Sequence, residues 1–344
     1  MDWSAVSLNT DFRYVVVDSS TWGEIGELTD IVGGSISRKY LSSLKEGATL
    51  DYEDTAQILQ IGNDYVRVYL DVDDGESTES VALGTFMPST PQQSMSDLGT
   101  DGQATCYSLL QIAADEGLDE TLTIPSGTNL IDYAAGLLRD RGLNVDIQSE
   151  SDIEAVNDSK FDTDNTILDV VIWCTQAAGF GTPLIDGYGT ILLQEYSDPT
   201  MNAPIVEYGS DSRVMFPQFT HELDSFSMPN KVIVVSSSPD SVVTGSAVND
   251  DPASEYSTVS RGRVITSKYD VDNLETSEQA DAKAESLLRS LSLVESVEVE
   301  HLYNDTRLQD VFSVSDLGNF AIVNQDLKLE PGCPVKDRGR RFVS

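Results

Sequence analysis

Positive charge is what this sequence has least of. Among 344 residues there are 21 lysines and arginines against 58 aspartates and glutamates, a formal net charge of -37. So few cations cannot assemble a basic surface of the usual extent, which excludes nucleic-acid binding by phosphate neutralisation and disfavours an anionic membrane. Two readings of the acid stay open. One is a solvated coat that keeps the chain soluble or suits high salt, and the other is a surface that must not stick to a polyanion passing close by. Histidine is scarce, with two, and so are cysteine and tryptophan, with three each. Cys106, Cys174 and Cys333 lie far apart and form no C-x-x-C, so no disulfide framework is expected and the thiols read as reduced and buried. There is no G-x-S-x-G elbow and no H-E-x-x-H. Gly33-Gly34 and the triplet GYG lack the strand-loop-helix context of a phosphate loop and read as turns. The longest apolar runs, near YVVV and KVIVV, are far short of a membrane span. The opening MDWSAVSLNTDF has no apolar signal-peptide segment. A soluble product, made in the cytoplasm and not inserted in a membrane, is the expectation.

What is present is enough hydrophobic sequence, 40%, for two or three domains with proper cores. Strand signals dominate residues 12–88. Tyr14-Val17 is a β-branched run, and Tyr65 to Asp73 alternates Val66, Val68, Leu70 and Val72 inward with Arg67, Tyr69 and Asp71 outward. DDGES then turns the chain and Val81 to Met87 returns it as a hairpin. GSISRKYLSS begins with helix-compatible spacing, and Ala48, Leu50 and Tyr52 then alternate as a half-buried strand. The polar stretch 88–102 reads as a boundary. Helical periods follow over Cys106–Glu116, Asn129–Arg141 (capped by Thr128 or Asn129) and Thr166–Ala178, with glycines 117, 142 and 179 at their ends. TPLIDGYGTILLQEY reads as a hairpin turning at Asp186-Gly187. Beyond 199, Lys231–Ser236, Arg263–Ser267, Val297–Tyr303, Val311–Val314 and Phe320–Val323 read as strands. Residues 237–256 read as a long exposed loop, and Ser277–Leu291 as an amphipathic helix capped by Ser277. The predicted class is α+β, mainly β, with a β-barrel-like domain over 1–102, an inserted α+β domain over 103–198, and a second β-barrel-like domain over 199–344 carrying the helix 277–291.

Chemistry is thinly marked. His301 shares a strand face with Val297 and Val299 and reads as structural. His221, beside Glu222 and Asp224, admits a carboxylate-assisted base or a metal corner as the lesser reading. DVDDGE, Asp71 to Glu76, has calcium-like oxygen density but neither the spacing nor the flanking helices of a calcium loop, so an acidic hairpin tip is preferred. No carboxylate pair is singled out for glycosidase work. Trp173 sits on an apolar helix face and reads as core, while Trp3 and Trp22 are open to an interface role. No cofactor is expected.

The order of segments resembles the hub family of bacteriophage tail tips and baseplates. Three pieces carry the resemblance: GGSISRKYLSSLKEGATLDYED with YVRVYLDVD and VALGTFMPSTP; then ATCYSLLQIAADEG through GTNLIDYAAGLLRDRG and TILDVVIWCTQAAGF to DGYGTILLQEYSDP; then DSFSMPNKVIVVSS through SRGRVITSKYDVDNLETSEQADAKAESLL to VEVEHLYNDTRLQDVFSV. The resemblance implies a non-enzymatic virion protein, a homotrimer whose paired β units form a pseudo-sixfold ring between the hexameric tail tube and a threefold tip. It implies as partners a distal tail or tube protein, a tape-measure protein and tail fibre or tip proteins, with DNA passing through an acidic lumen without specific binding. No lysozyme or peptidase segment is found. Within so acidic a chain, Arg38, Lys39 and Lys45, and the later Arg338, Arg340 and Arg341, are expected to meet acid across a subunit interface. The alternative is a basic strand edge that discourages stray pairing. A second function class stays open, a carbohydrate- or receptor-binding tail module built on Trp22 and acidic loops, with or without calcium. An acidic hydrolase is the third.

Overall fold

The computed structural model describes residues 8–53, 57–75, 77–89, 92–96, 99–196, 202–209, 215–223, 228–237, 242–271, 274, 276–291, 295–315 and 317–341. Trp3 and Asp224 lie outside them. The first unit is eight strands: β1 (Asn9–Val17), β2 (Glu24–Leu28), β3 (Ile31–Lys39), β4 (Glu46–Glu53), β5 (Tyr65–Asp73), β6 (Thr78–Pro88), β7 (Gln92–Ser96) and β8 (Gly99–Ser108). Alternation does what the sequence promises in β5. Val66, Val68, Leu70 and Val72 join Tyr14, Leu50, Leu83, Phe86 and Ala104 in one core, so the sheet curls around the inward faces of β1, β4, β5, β6 and β8. Arg67 and Tyr69 do face the other way, yet they too are buried. The inserted unit covers that face, which is why YVVV reads as an unbroken apolar run.

Two expectations in this unit are corrected. Ile31–Lys39 is a strand and not a helix, because Ile36 and Arg38 point inward while Ser35 and Lys39 point out, a period of two. Cys106–Ser108 belongs to β8, which crosses the expected 102/103 boundary; its Ala104 and Cys106 are buried and Thr105 and Tyr107 exposed. Only α1 (Gln111–Asp115) of the helix expected over 106–116 forms.

The inserted unit continues with β9 (Leu122–Ile124), α2 (Leu130–Arg139), β10 (Val145–Ile147), β11 (Ser159–Phe161), α3 (Ile167–Ala177), β12 (Leu184–Ile185) and β13 (Ile191–Leu193). Asn129 Oδ1 caps α2 by accepting from the amides of Ile131 and Asp132. Thr166 and Asp169 cap α3 reciprocally. Both helices pack their apolar faces into a core with Leu109, Leu110, Phe161, Ile191 and Leu193, to which Val17 and Tyr65 of the first unit contribute. Trp173 packs edge-on to Phe161 at 5.3 Å, as a core residue should.

The β12–β13 turn is the fastener. Thr85 Oγ1 donates to the Gly187 carbonyl at 3.0 Å and Arg67 Nη2 to the Tyr188 carbonyl at 3.1 Å. A Cβ on Gly187 would stand 1.8 Å from the Ala82 carbonyl oxygen, so only glycine permits this approach. Gly187→Val should therefore lift the inserted unit off β6. Calorimetry should then show two thermal transitions in place of one, whereas an unchanged single transition would contradict the docking.

The last part holds β14 (Val206–Tyr208), β15 (Met215–Leu223), β16 (Lys231–Ser237), β17 (Val242–Val248), α4 (Thr258–Arg261), β18 (Thr266–Asp270), α5 (Ser277–Leu291), β19 (Glu295–Leu302), β20 (Val311–Val314), β21 (Gly318–Lys328) and β22 (Pro334–Arg341). It divides in two. β16, β17 and β18 form a separate sheet closed by α5, with Val232, Val234, Ala247, Ala280 and Ala284 as its core. Gly245 lets β17 touch the α5 backbone: its Cβ would meet Ala280 C at 2.2 Å. The helix has the expected range and face, but Thr276 and not Ser277 caps it, exchanging hydrogen bonds with Gln279. The loop expected over 237–256 contains β17, whose exposed Thr244 and Ser246 disguise it as coil.

The remaining strands join the first unit in one sheet, ordered β15-β19-β22-β21-β3-β4-β8-β6-β5-β1-β2, with β20 beside β21, β14 beside β20, and β7 beside β8. The joint is the antiparallel pair β21·β3, where Asn324 faces Lys39 and Gln325 faces Arg38. Leu327, Leu329, Cys333 and Val335 complete the first unit's core from the far end of the chain. The class is thus mainly β and α+β, with an inserted α+β unit between two β units that share one sheet.

Candidate functional site

The β-sheet joint sorts the six basic residues. Arg38 points inward and is 9% exposed; Nη1 donates to Gln325 Oε1 at 2.5 Å, Nη2 to the Leu83 carbonyl, and Nε lies 3.7 Å from Glu46. Lys45 is 2% exposed, and Nζ donates to the Tyr40 carbonyl at 2.5 Å and to Thr182 Oγ1 at 2.7 Å. Both therefore find acceptors within their own chain. Arg341 donates to Glu295 and to the Leu317 carbonyl and lies 5.2 Å over the Phe320 ring.

Lys39, Arg338 and Arg340 behave differently. In β22 the run Lys336, Arg338, Arg340 occupies alternate positions, while Val335, Asp337 and Gly339 between them are buried. Arg338 pairs across with Asn324, and Asn324 pairs on its other side with Lys39. Asp326, opposite Lys336, and Lys328, both exposed, lie on the same face of β21. Cations from both ends of the sequence thus form one stripe across β3, β21 and β22 on the open face of the shared sheet. Lys336 is held by Glu298 at 2.5 Å and Arg338 by Glu222 at 2.9 Å. Arg340 is half-buried and has no hydrogen-bond acceptor or ion-pair partner among the described residues. Burial and the neighbouring Arg338 guanidinium pull its pKa below the ordinary arginine value. A planar guanidinium held this way presents unclaimed donors in a fork suited to a carboxylate. Lys328 was missed in the sequence, whereas Lys336 opens the basic run KDRGRRF, whose period-two K-x-R-x-R was readable.

The other candidates resolve into local partners. His221 Nε2 lies 2.8 Å from Glu295 on the paired strand, and Glu222 is taken by Arg338. Glu295 also receives Arg341, so these side chains form a polar chain across β15, β19 and β22. His301 is fully buried, with Nδ1 2.7 Å from the Leu302 carbonyl oxygen and Nε2 2.9 Å from Asp337 Oδ2. Of the acidic run Asp71 to Glu76, Glu76 lies outside the described residues; Asp73 accepts from the Gly75 amide and Asp74 from the Ser77 amide, while Asp71 pairs with Arg13. Trp22 is not a free aromatic; its ring lies 5.5 Å from Tyr65 and Nε1 donates to the Gly142 carbonyl. Burial pushes the thiols of Cys106, Cys174 and Cys333 up to about 12, which makes them poor nucleophiles.

Where the two β units and the inserted unit meet, a cleft of about 500 Å3 opens. Arg38, Lys45 and Glu46 line it from the first unit, Thr182 and Asp186 from the inserted unit, and Arg307 and Asp310 from β19–β20. The Glu46 side chain is 4% exposed. Burial, opposed by Arg38 and reinforced by Asp186, pushes its pKa up to about 8. Burial pulls Lys45 down to about 8. Below pH 8 the folded chain holds a proton on Glu46 that the unfolded chain has lost above its ordinary carboxylate range, so this group's contribution to stability falls as pH rises from about 4.5 to 8. Glu46→Gln should match the wild type near pH 5 and become progressively more stable than it towards pH 8, by up to about 1.4 kcal/mol for each pH unit crossed. Parallel melting-temperature profiles for the two proteins would refute this.

No protein-family model matches this sequence, and no curated protein matches it either. Solved structures do. A tail protein from Neisseria meningitidis MC58 superposes with a TM-score of 0.68 at 13% identity, covering 96% of this chain and 97% of its own. The 43 kDa tail protein of prophage MuSo2 from Shewanella oneidensis gives 0.69 at 10% identity, covering 97% and 98%. Prophage tail protein gp18 from Listeria monocytogenes EGD-e gives 0.54 at 12% identity, covering 96% and 94%. At such identity the likeness is one of fold, and it runs from end to end.

Proposed function

We propose that this chain is a structural protein of a bacteriophage tail, the central hub of a tail tip or baseplate, acting as a trimer and not as an enzyme. The observation that carries the reading is the fold shared along almost the whole chain with a tail protein and two prophage tail proteins. The shared sheet supports it. Among the described residues β15 and β2 end its longest run of paired strands, each with one neighbour, while β14 and β7 branch beside it with one neighbour apiece, so contact between the β15 edge of one copy and the β2 edge of the next is a head-to-tail contact that closes into a ring. The side chains that resembled catalytic candidates are tied into ion pairs, turns and cores, which suits a scaffold. Three copies enclose a passage whose excess of carboxylate keeps DNA from adhering. Lys39, Arg338 and Arg340 contact acid on the neighbouring copy, and a distal tail or tube protein, a tape-measure protein and fibre or tip proteins are the outer partners. Made in the host cytoplasm, the chain ends in the virion tail. Mass measurement on the purified chain should give three times 37.4 kDa, and negative-stain images should show annular particles. A single-chain mass at every concentration would remove the hub reading.

A further inference from the structure

The cleft at the three-unit junction contains an unmet chemical need. Glu46 Oε1 is buried and has no hydrogen-bond partner among the described residues, while Oε2 has only the long contact to Arg38 Nε at 3.7 Å. Arg38 cannot turn to it, because its other nitrogens are held by Gln325 and the Leu83 carbonyl. Lys45 cannot either, being anchored on the Tyr40 carbonyl and Thr182. Asp186 spends its Oδ1 on the amides of Tyr188 and Thr190, and Asp310 accepts from the Arg307 amide. A buried carboxyl oxygen left without a partner costs free energy that an incoming donor recovers. The cleft is large enough for a long side chain and part of its backbone, and the chain's net charge of -37 draws cations toward it.

We propose that this cleft receives a lysine or arginine side chain from a neighbouring polypeptide, its cationic group donating to Glu46 Oε1 between the three units. The site acts as a clamp: a cation seated there bonds a residue of the first unit while its stem lies against the inserted unit and the β19–β20 connection. This holds whether or not the chain forms a ring. It also couples binding to protons. Glu46 is neutral at pH 6.5, so a cation arriving there displaces its proton into solution, and at pH 9.5 there is no proton left to displace.

The experiment is calorimetric titration of the full chain with the peptide acetyl-Gly-Arg-Gly-amide, using the citrulline peptide as a neutral isostere. Running each titration in two buffers of different ionisation enthalpy counts the protons released. The expected result is one saturable site per chain for the arginine peptide, at least tenfold weaker binding of the citrulline peptide, proton release at pH 6.5 and none at pH 9.5. Glu46→Gln should lose the preference for arginine over citrulline. Absent saturation, equal affinity for the two peptides, or release unchanged between the two pH values overturns the assignment. The citrulline comparison is made on the wild-type chain, so it decides the matter even where the Glu46 variant folds poorly.

Discussion

Asp337→Ala should lower the stability of the chain by about 3–5 kcal/mol, the usual cost of deleting one partner of a buried charged pair. Asp337 is fully buried on the inward side of β22 and meets His301 Nε2 at 2.9 Å and Thr306 Oγ1 at 3.3 Å through a single oxygen. Thr306 in turn receives Gln325 Nε2 at 3.2 Å, and Gln325 holds Arg38. The chain of contacts therefore runs from the second β unit's core, through β21, to the joint with β3. Alanine leaves the imidazole facing a void beside Tyr208, whose ring lies 5.1 Å away. Asp337→Asn keeps the volume and can still bond His301, so it should cost less than half as much. Denaturant midpoints for the two variants check this. Equal losses would mean that packing and not the polar link holds β19 to β22.

That network also shows where sequence reasoning stopped. Strands whose two faces contrast in side-chain type were readable, as in Val66 to Val72, and so were helices with local caps at Asn129 and Thr166. β3 was not. Its inward apolar residues, Ile31 and Ile36, are separated by Gly and Ser and followed by the inward Arg38, too sparse a pattern to read as a strand face, and it becomes a strand because β4 pairs on one side and β21, almost 290 residues later, on the other. No local period encodes a partner that distant. The same gap hid the division of Arg38 from Lys39. Adjacent strand residues face opposite ways, so a cluster in sequence is split by the pleat, and only the register of β21 says which cation goes inside. Glu46 was invisible for a related reason. In a chain with 58 acidic residues one more carboxylate draws no notice, and its isolation comes from three units closing over it. β17 was lost because its inward residues, Val243, Gly245 and Ala247, are mostly small, and polar Thr244 and Ser246 stand between its outward valines.

Reversing the stripe with Lys39→Glu, Arg338→Glu and Arg340→Glu together should abolish the proposed assembly, leaving single chains at concentrations where the wild type associates. On the proposed hub reading, the stripe is one of the few places where this chain can meet a copy of itself without like-charge repulsion. With so large an acidic excess, two chains approaching at random repel, and a contact that aligns these cations with a neighbour's carboxylates removes the repulsion and sets the register. Arg340 should contribute most, since it has no acceptor among the described residues of its own chain, while Arg338 must share its guanidinium with Glu222. Placing three glutamates there puts acid against acid at the contact, which is a stronger test than truncation to alanine. A charge-matched control reverses Lys160, Lys268 and Arg289, which are exposed elsewhere. It makes the chain equally more acidic but leaves the stripe intact, and should assemble almost as well as the wild type. Salt gives an independent reading. Screening shortens from about 10 Å at 0.1 M to about 3 Å at 1 M, so the wild-type trimer should loosen with added salt, whereas the stripe variant, held apart by repulsion, should recover part of its association. If mass measurement finds the stripe variant and the control equally trimeric, the contact lies elsewhere on the chain and the sheet edges β2 and β15 must close the ring without help from these cations.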